Sequence, residues 1–165
     1  MSSCNKMKIE YQSIGIVHSP FSTLENMPIQ PTGAAGIAGR VEIFPEYEEG
    51  LQDLAGFSHI ILLYHFHRSK GFKLRVVPFL DSESHGVFAT RAPRRPNPIG
   101  LSVVKLVKIT GRILHIENVD LLDKTPVLDI KPYVPEFDRQ TAVQIGWLER
   151  VGRDVAQTKS DRRFK

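Results

Sequence analysis

Residues 101–119 read Leu-Ser-Val-Val-Lys-Leu-Val-Lys-Ile-Thr-Gly-Arg-Ile-Leu-His-Ile-Glu-Asn-Val. Two runs rich in β-branched residues, 101–109 and 112–119, flank Thr110-Gly111. That pattern predicts an antiparallel hairpin closed around the dipeptide. Working outward, extended segments recur at 13–18, 39–44, 74–77, 86–90 and 127–130, and the first two stop at Ser19-Pro20 and Pro45. The strongest is 59–67, where Ile60, Ile61, Leu62, Leu63, Tyr64 and Phe66 are all β formers. Its near-continuous apolarity predicts burial on both faces at its start. Residues 47–54 predict a short helix with Leu51 and Leu54 on one side. Within 143–157, Ile145, Leu148, Val151 and Val155 recur at helical spacing beside Trp147, which predicts a C-terminal helix.

Many short strands between proline and glycine turns predict a mainly β fold: a small antiparallel β-barrel with a short helix and a C-terminal helix. The βα alternation of a doubly wound sheet and a Gly-x-Gly-x-x-Gly fingerprint after a strand are both missing. The expected organisation is a disordered N-terminus over 1–12, the barrel over 13–138, and a C-terminal helix with a basic tail over 139–165. The tail, from Lys159 onward, is read as solvated, with RNA contact as the alternative.

With 165 residues the chain has the size of one domain, large enough to hold a core without staples. The single cysteine, Cys4, excludes an intrachain disulfide and a cysteine-rich zinc site, and it fits a reducing, cytoplasmic setting. No apolar run approaches the length of a membrane span, and the N-terminus lacks the apolar stretch of a signal peptide. A net charge of +4 is compatible with a nucleic-acid partner without demanding one.

Immediately upstream of the hairpin lies Thr90-Arg91-Ala92-Pro93-Arg94-Arg95-Pro96-Asn97-Pro98-Ile99-Gly100. Three prolines fix their own φ and push Ala92, Arg95 and Asn97 toward extended backbone. A loop this stiff, carrying three arginines, reads as a preformed site for an anionic or polar ligand. The arginine forks match carboxylate or phosphate, although a solvated basic loop, or pairing with Asp123 or Asp129, would also account for them. Asn97, held between prolines, offers both a donor and an acceptor. Asp129, Lys131 and Tyr133 alternate, so an extended strand sets them on one face. That face reads as a site or as a structural salt bridge. His65 and His67 share a strand face too, but no third ligand is evident and no metal is expected. Ser58 and Ser102 sit in no nucleophile motif, which leaves hydrolysis a weak reading.

Phe88-Ala89-Thr90-Arg91 with 95–102, and the block Asp123-Lys124-Thr125-Pro126-Val127-Leu128-Asp129-Ile130-Lys131-Pro132-Tyr133, resemble the signature of the TsaA-like, or TrmO, family. Pro45-Glu46-Tyr47, Gly56-Phe57-Ser58-His59, Phe66-His67 and Pro28-Ile29-Gln30-Pro31 fit as well, so the likeness runs from about Ile14 to Asp138. It implies a β-barrel S-adenosylmethionine-dependent methyltransferase acting on N6 of threonylcarbamoyl-adenosine beside the anticodon of tRNA. It also implies a homodimer with the cofactor near the subunit interface. The alternative is a non-enzymatic module that binds S-adenosylmethionine or RNA. Carried over residue by residue, the cofactor set is Pro28, Ile29, Gln30, His67, Arg68, Arg91, Leu101, Asp123, Lys124, Thr125 and Pro126. Arg91 suits the cofactor carboxylate, and Asp123 its amino group or sulfonium. Asn97, Asp129 and Tyr133 are the candidate acceptors for the target amine. Some members carry a further C-terminal domain. None is expected within these residues, which leaves tRNA contacts to barrel, helix and tail. The family usually has glycine where this chain has Lys124, so that turn must use a backbone lysine adopts less readily.

Overall fold

The computed structural model describes residues 7–151 and 156–164. Six strands close an antiparallel barrel: β1 (Gly15–His18), β2 (Ala38–Ile43), β3 (His59–His65), β6 (Ile99–Thr110), β7 (Ile113–Glu117) and β8 (Pro126–Pro132). Their order around the barrel is β1-β2-β7-β6-β3-β8, with β8 returning to β1. The hairpin read from 101–119 is β6 and β7, and Gly111 takes the positive φ of 54° that the tight turn requires. Two short strands, β4 (Arg75–Val76) and β5 (His85–Gly86), pair beside the barrel. They replace the longer segments expected at 74–77 and 86–90, because Pro78 and the 3-10 turn Val87–Ala89 stop the pairing.

Alternation builds the core. In β3 the inward residues Ile60, Leu62 and Tyr64 are buried, while Ile61 and Leu63 on the outer face are only half-buried. The expectation of burial on both faces is therefore corrected: one face meets the barrel core and the other is partly covered. Ile60 and Leu62 pack with Val17, Val41, Ile43, Val104, Leu114, Ile116 and Val127. Each such side chain contributes about 1.5–3 kcal/mol by leaving water. A second cluster of Val76, Val87, Ala92 and Phe164 joins the β4–β5 unit to the C-terminal segment.

The helical expectations are met in shortened form. Residues 47–54 lie across two 3-10 turns, Pro45–Leu51 and Leu54–Gly56, because Gly50, Gly56 and the left-handed Asp53 break any longer run. A single α-helical turn, α1 (Pro135–Asp138), follows β8. The C-terminal helix expected over 143–157 is narrower than its spacing implied. Among the described residues it is the 3-10 turn Gly146–Glu149, and 152–155 lie outside them. Gly146 at φ 58° turns the backbone out of the helical region at the point where the helix would have been under way. The expected disorder over 1–12 falls partly outside the described residues; 7–12 carry neither strand nor helix.

The charged side chains of the described tail are exposed, as read, while its backbone and Phe164 are docked on the molecule. Ser160 N donates to Met27 O at 2.9 Å, Asn26 N donates to Ser160 O at 2.9 Å, and Ser160 Oγ donates to Leu24 O at 2.7 Å. Arg162 pairs with Glu25, and Arg163 donates to Pro78 O. Phe164 is buried against Phe79, with ring centroids 5.0 Å apart. A tail anchored by backbone bonds and one buried aromatic is a structural element of the molecule.

Candidate functional site

The site lies at the barrel end where β3 finishes and β6 begins. A cavity of about 340 Å³ opens there, walled by Met27, Pro28, Ile29, Gln30, Tyr64, Phe66, Arg91, Gly100, Leu101, Asp120 and Phe164, among others. A smaller recess of about 90 Å³ continues past Tyr64, Phe66 and Asp120 to His67, Arg68 and Thr125. The larger volume suits a nucleoside-sized ligand, and apolar walls with a few converging polar groups are typical of such sites.

The stiff loop before β6 delivers its arginines to different tasks. Arg91 Nη1 donates to Gln30 Oε1 at 2.7 Å, so the two side chains form one rim of the cavity. Arg95 turns inward on its own loop: its Nη1 donates to the carbonyls of Thr90 at 2.8 Å and Val87 at 3.1 Å. Its guanidinium also lies 5.9 Å from the Phe88 ring centroid. Arg95 is thus a clamp on the loop. Beside the loop, Trp147 Nε1 donates to Ala89 O at 2.8 Å and its ring stacks on His85 at 4.4 Å. His85 in turn bonds Asp81 at 2.8 Å, which holds that carboxyl below its ordinary value.

Of the residues predicted for the cofactor, Pro28, Ile29, Gln30, Arg91 and Leu101 line the main cavity, and His67, Arg68 and Thr125 line the recess. Burial comes first among the causes that lower the His67 pKa, followed by the charge of Arg68, so the imidazole is biased toward neutrality. Asp123, Lys124 and Pro126 line neither space. Asp123 accepts from Ser19 N at 3.1 Å and pins the loop after β1. Lys124 adopts φ 65° and its N–H donates to Val17 O at 2.9 Å, so this chain keeps a left-handed turn there with lysine. Thr125 is buried and its hydroxyl donates to Leu122 O at 2.7 Å, which closes that turn.

The three candidate acceptors are not gathered at this cavity. Asn97 is exposed and lines a different depression with His65, Pro98 and Pro126. Asp129 pairs with Lys131 at 2.8 Å on the outer surface, with side chains 43% and 59% exposed. Tyr133 meets His59 edge-on, at 6.4 Å between centroids. The shared strand face of Asp129 and Lys131 is thus occupied by a surface ion pair, the other reading their alternation allowed. Among the described residues no cluster of His, Cys, Asp and Glu could hold a metal ion.

A further polar group that does face the cavity, Asp120, is one the strand pattern passed over. Ser102 Oγ donates to Asp120 Oδ1 at 2.8 Å, and Tyr64 Oη lies 3.1 Å from the same Ser102 oxygen. Since the serine proton points to the carboxylate, the tyrosine donates to the serine. Burial pushes the Asp120 carboxyl up to about 6, with the Ser102 bond and the Arg91 charge working against the rise. Burial also raises Tyr64 well above the usual phenol range, with Asp120 adding to the effect, so the phenol stays protonated. The available signal was an acid set among apolar neighbours, Val119-Asp120-Leu121-Leu122.

Comparison with known proteins agrees with this architecture. The family model described as tRNA-methyltransferase O N-terminal domain matches residues 16–139. A Pyrococcus abyssi protein named "Probable S-adenosyl-L-methionine-binding protein" is 57% identical across 96% of this chain and 86% of its own length. The mouse tRNA (adenine(37)-N6)-methyltransferase is 40% identical over 77% of this chain, which spans 31% of the mouse protein. The crystal structure of TrmO from Pseudomonas aeruginosa superposes with a TM-score of 0.72 at 38% identity, covering 86% of this chain and 63% of that one.

Proposed function

The chain belongs to the tRNA-methyltransferase O family, and from that premise we propose that it is an S-adenosylmethionine-dependent methyltransferase of tRNA. Its target is N6 of an adenosine beside the anticodon, in the threonylcarbamoylated form. The observation that carries the reading is the cavity at the barrel mouth, with the Arg91–Gln30 pair on its rim and Asp120 in its wall. These residues fit the cofactor. Arg91 matches a carboxylate, and Met27, Phe66, Leu101 and Phe164 match an adenosine. The cofactor supplies a methyl group already activated on a positively charged sulfur. What remains for the protein is to position the amine in line, keep water out and dispose of a proton.

Labelled cofactor should transfer methyl to tRNA carrying the threonylcarbamoyl group and not to tRNA lacking it. Transfer to both would keep the enzyme class and change the substrate. Cofactor binding with no transfer to either would favour the non-enzymatic module. Arg91→Ala should weaken cofactor binding by about 1.5–3 kcal/mol, the worth of a charge-assisted hydrogen bond. That is roughly 10- to 150-fold in Kd by calorimetry.

The functional unit under this reading is a homodimer. Phe88 is 75% exposed and Leu101, on the cavity rim, is 45% exposed, so a second subunit has apolar surface to cover beside the site. Light scattering should give twice the 18.6 kDa chain mass; a monomer at micromolar concentration would remove this part of the proposal. The reducing cytoplasm is the setting that fits a chain with one cysteine and a tRNA substrate. None of the described helices is long and apolar enough to cross a membrane.

A further inference from the structure

We propose that Asp120, oriented by the Tyr64–Ser102 relay, is the proton acceptor of the methyl transfer. The inference rests on the functional reading above and deepens it. Its starting point is placement: Asp120 is the carboxylate that borders both the main cavity and the recess behind it.

The relay has a direction. Tyr64 donates to Ser102 and Ser102 donates to Asp120 Oδ1, so one carboxylate oxygen is held by a fixed donor. Ser102 is 1% exposed and Tyr64 6% exposed, so neither hydroxyl is free to swing into solvent. A buried serine and a buried tyrosine that both serve one carboxylate are more than packing needs. Apolar residues of the same shape would fill that corner without an acid to satisfy.

The chemistry asks for such a group. The amine nitrogen forms a bond to the methyl carbon as the carbon–sulfur bond breaks, and the sulfur keeps that electron pair. The nitrogen then carries a positive charge and an extra proton. That proton passes to the Asp120 carboxylate, which later yields it to water. Positive charge leaves the sulfur in the same event, so a nearby carboxylate loses one cationic neighbour while another forms at the nitrogen. The methylated ammonium is a far stronger acid than the amine was, so its proton passes to the carboxylate without that group's own affinity having to rise. The charged and titratable groups around the two spaces are Tyr64, Arg91, Arg95 and Asp161 on the main cavity and His67 and Arg68 in the recess. Burial raises the carboxyl to about 6, against the Ser102 bond and the Arg91 charge, which leaves it ionised at neutral pH and more basic than an ordinary carboxylate.

Three measurements on the full chain test this. The wild-type protein is first assayed for methyl transfer to tRNA; if it transfers none, the functional reading fails and the inference falls with it. If it is active, Asp120→Asn should lower kcat by at least about 100-fold, within the range of general-base contributions. Its cofactor Kd by calorimetry should stay within a few-fold. An unchanged kcat would overturn the inference alone. Loss of cofactor binding would overturn it as well, by making Asp120 the counter-ion of the cofactor. Ser102→Ala keeps the acid and removes its hydrogen bond, so it serves if the asparagine variant fails to fold. Removing a bond to the charged form raises the carboxyl pKa. The acid limb of the pH–rate profile and the carbon-13 carboxyl titration of Asp120, without cofactor, should therefore move together to higher pH. A limb that stays in place while the titration moves would assign the rate to another group.

Discussion

Gly15→Ala should lower the thermal midpoint by roughly 6–12 °C, the consequence of about 3 kcal/mol of overpacking in a chain of this size. A Cβ at Gly15 would sit 2.4 Å from the Glu42 carbonyl oxygen and 3.0 Å from Ile43 Cδ1. The first of these is a backbone atom, so no rotamer change relieves it. Glu42 faces Ile16 and Ile43 faces Gly15 in the β1–β2 ladder, so β1 would have to lift from its neighbour. β1 is also the closing strand. It reaches β8 through only two register pairs, Gly15 with Val127 and Ile16 with Pro126, and Pro126 has no N–H to give. Strain applied there loosens the narrowest seam of the barrel. Circular dichroism across a temperature ramp is the check, and a midpoint within 2 °C of wild type would mean that the seam can relax at little cost.

The barrel was legible because its signals are local. Alternation in 101–119 and the dipeptide Thr110-Gly111 specify a hairpin without reference to anything distant, and β6 and β7 form it. The helical reading of 143–157 drew on the same kind of signal, and among the described residues it is a 3-10 turn over Gly146–Glu149. Spacing of Ile145 and Leu148 shows which residues share a side, but Gly146 at positive φ decides where the backbone turns. The tail illustrates the opposite limit. Nothing near Ser160 announces that its backbone will pair with Asn26 and Met27, because that contact spans more than 130 residues. The site divides along the same line. Arg91 was readable from a proline-stiffened loop, whereas Asp120 lies past the end of β7, where strand alternation no longer reports its direction, and it meets Ser102 of β6 across the open end of the same hairpin. Asn97, Asp129 and Tyr133 looked like a site by residue type and alternation. The strand geometry instead sets Asp129 against Lys131 at the surface.

Gly100→Ala should leave a folded protein whose methyl transfer is lower by roughly 100-fold in kcat/KM, the scale of a reacting group misplaced by about 1 Å. Gly100 pairs with Tyr64 across β6 and β3, and the tyrosine ring covers the glycine. A Cβ there would meet Tyr64 Cε2 at 2.3 Å, Tyr64 Cζ at 2.5 Å and Phe66 Cζ at 2.8 Å. Unlike the obstacle at Gly15, these are side-chain atoms beside a cavity, so they have somewhere to go. The ring must move by about 1 Å to restore ordinary carbon contact. That shift carries the phenol away from Ser102, and Ser102 is the donor that orients Asp120. It also pushes the Tyr64 and Phe66 rings into the space a cofactor would use. Cofactor affinity should fall with turnover, while the melting temperature changes far less than in Gly15→Ala. The two alanines thus separate fold from site. A Gly100→Ala protein that methylates normally would mean that neither the aromatic wall nor the relay behind it matters to the reaction.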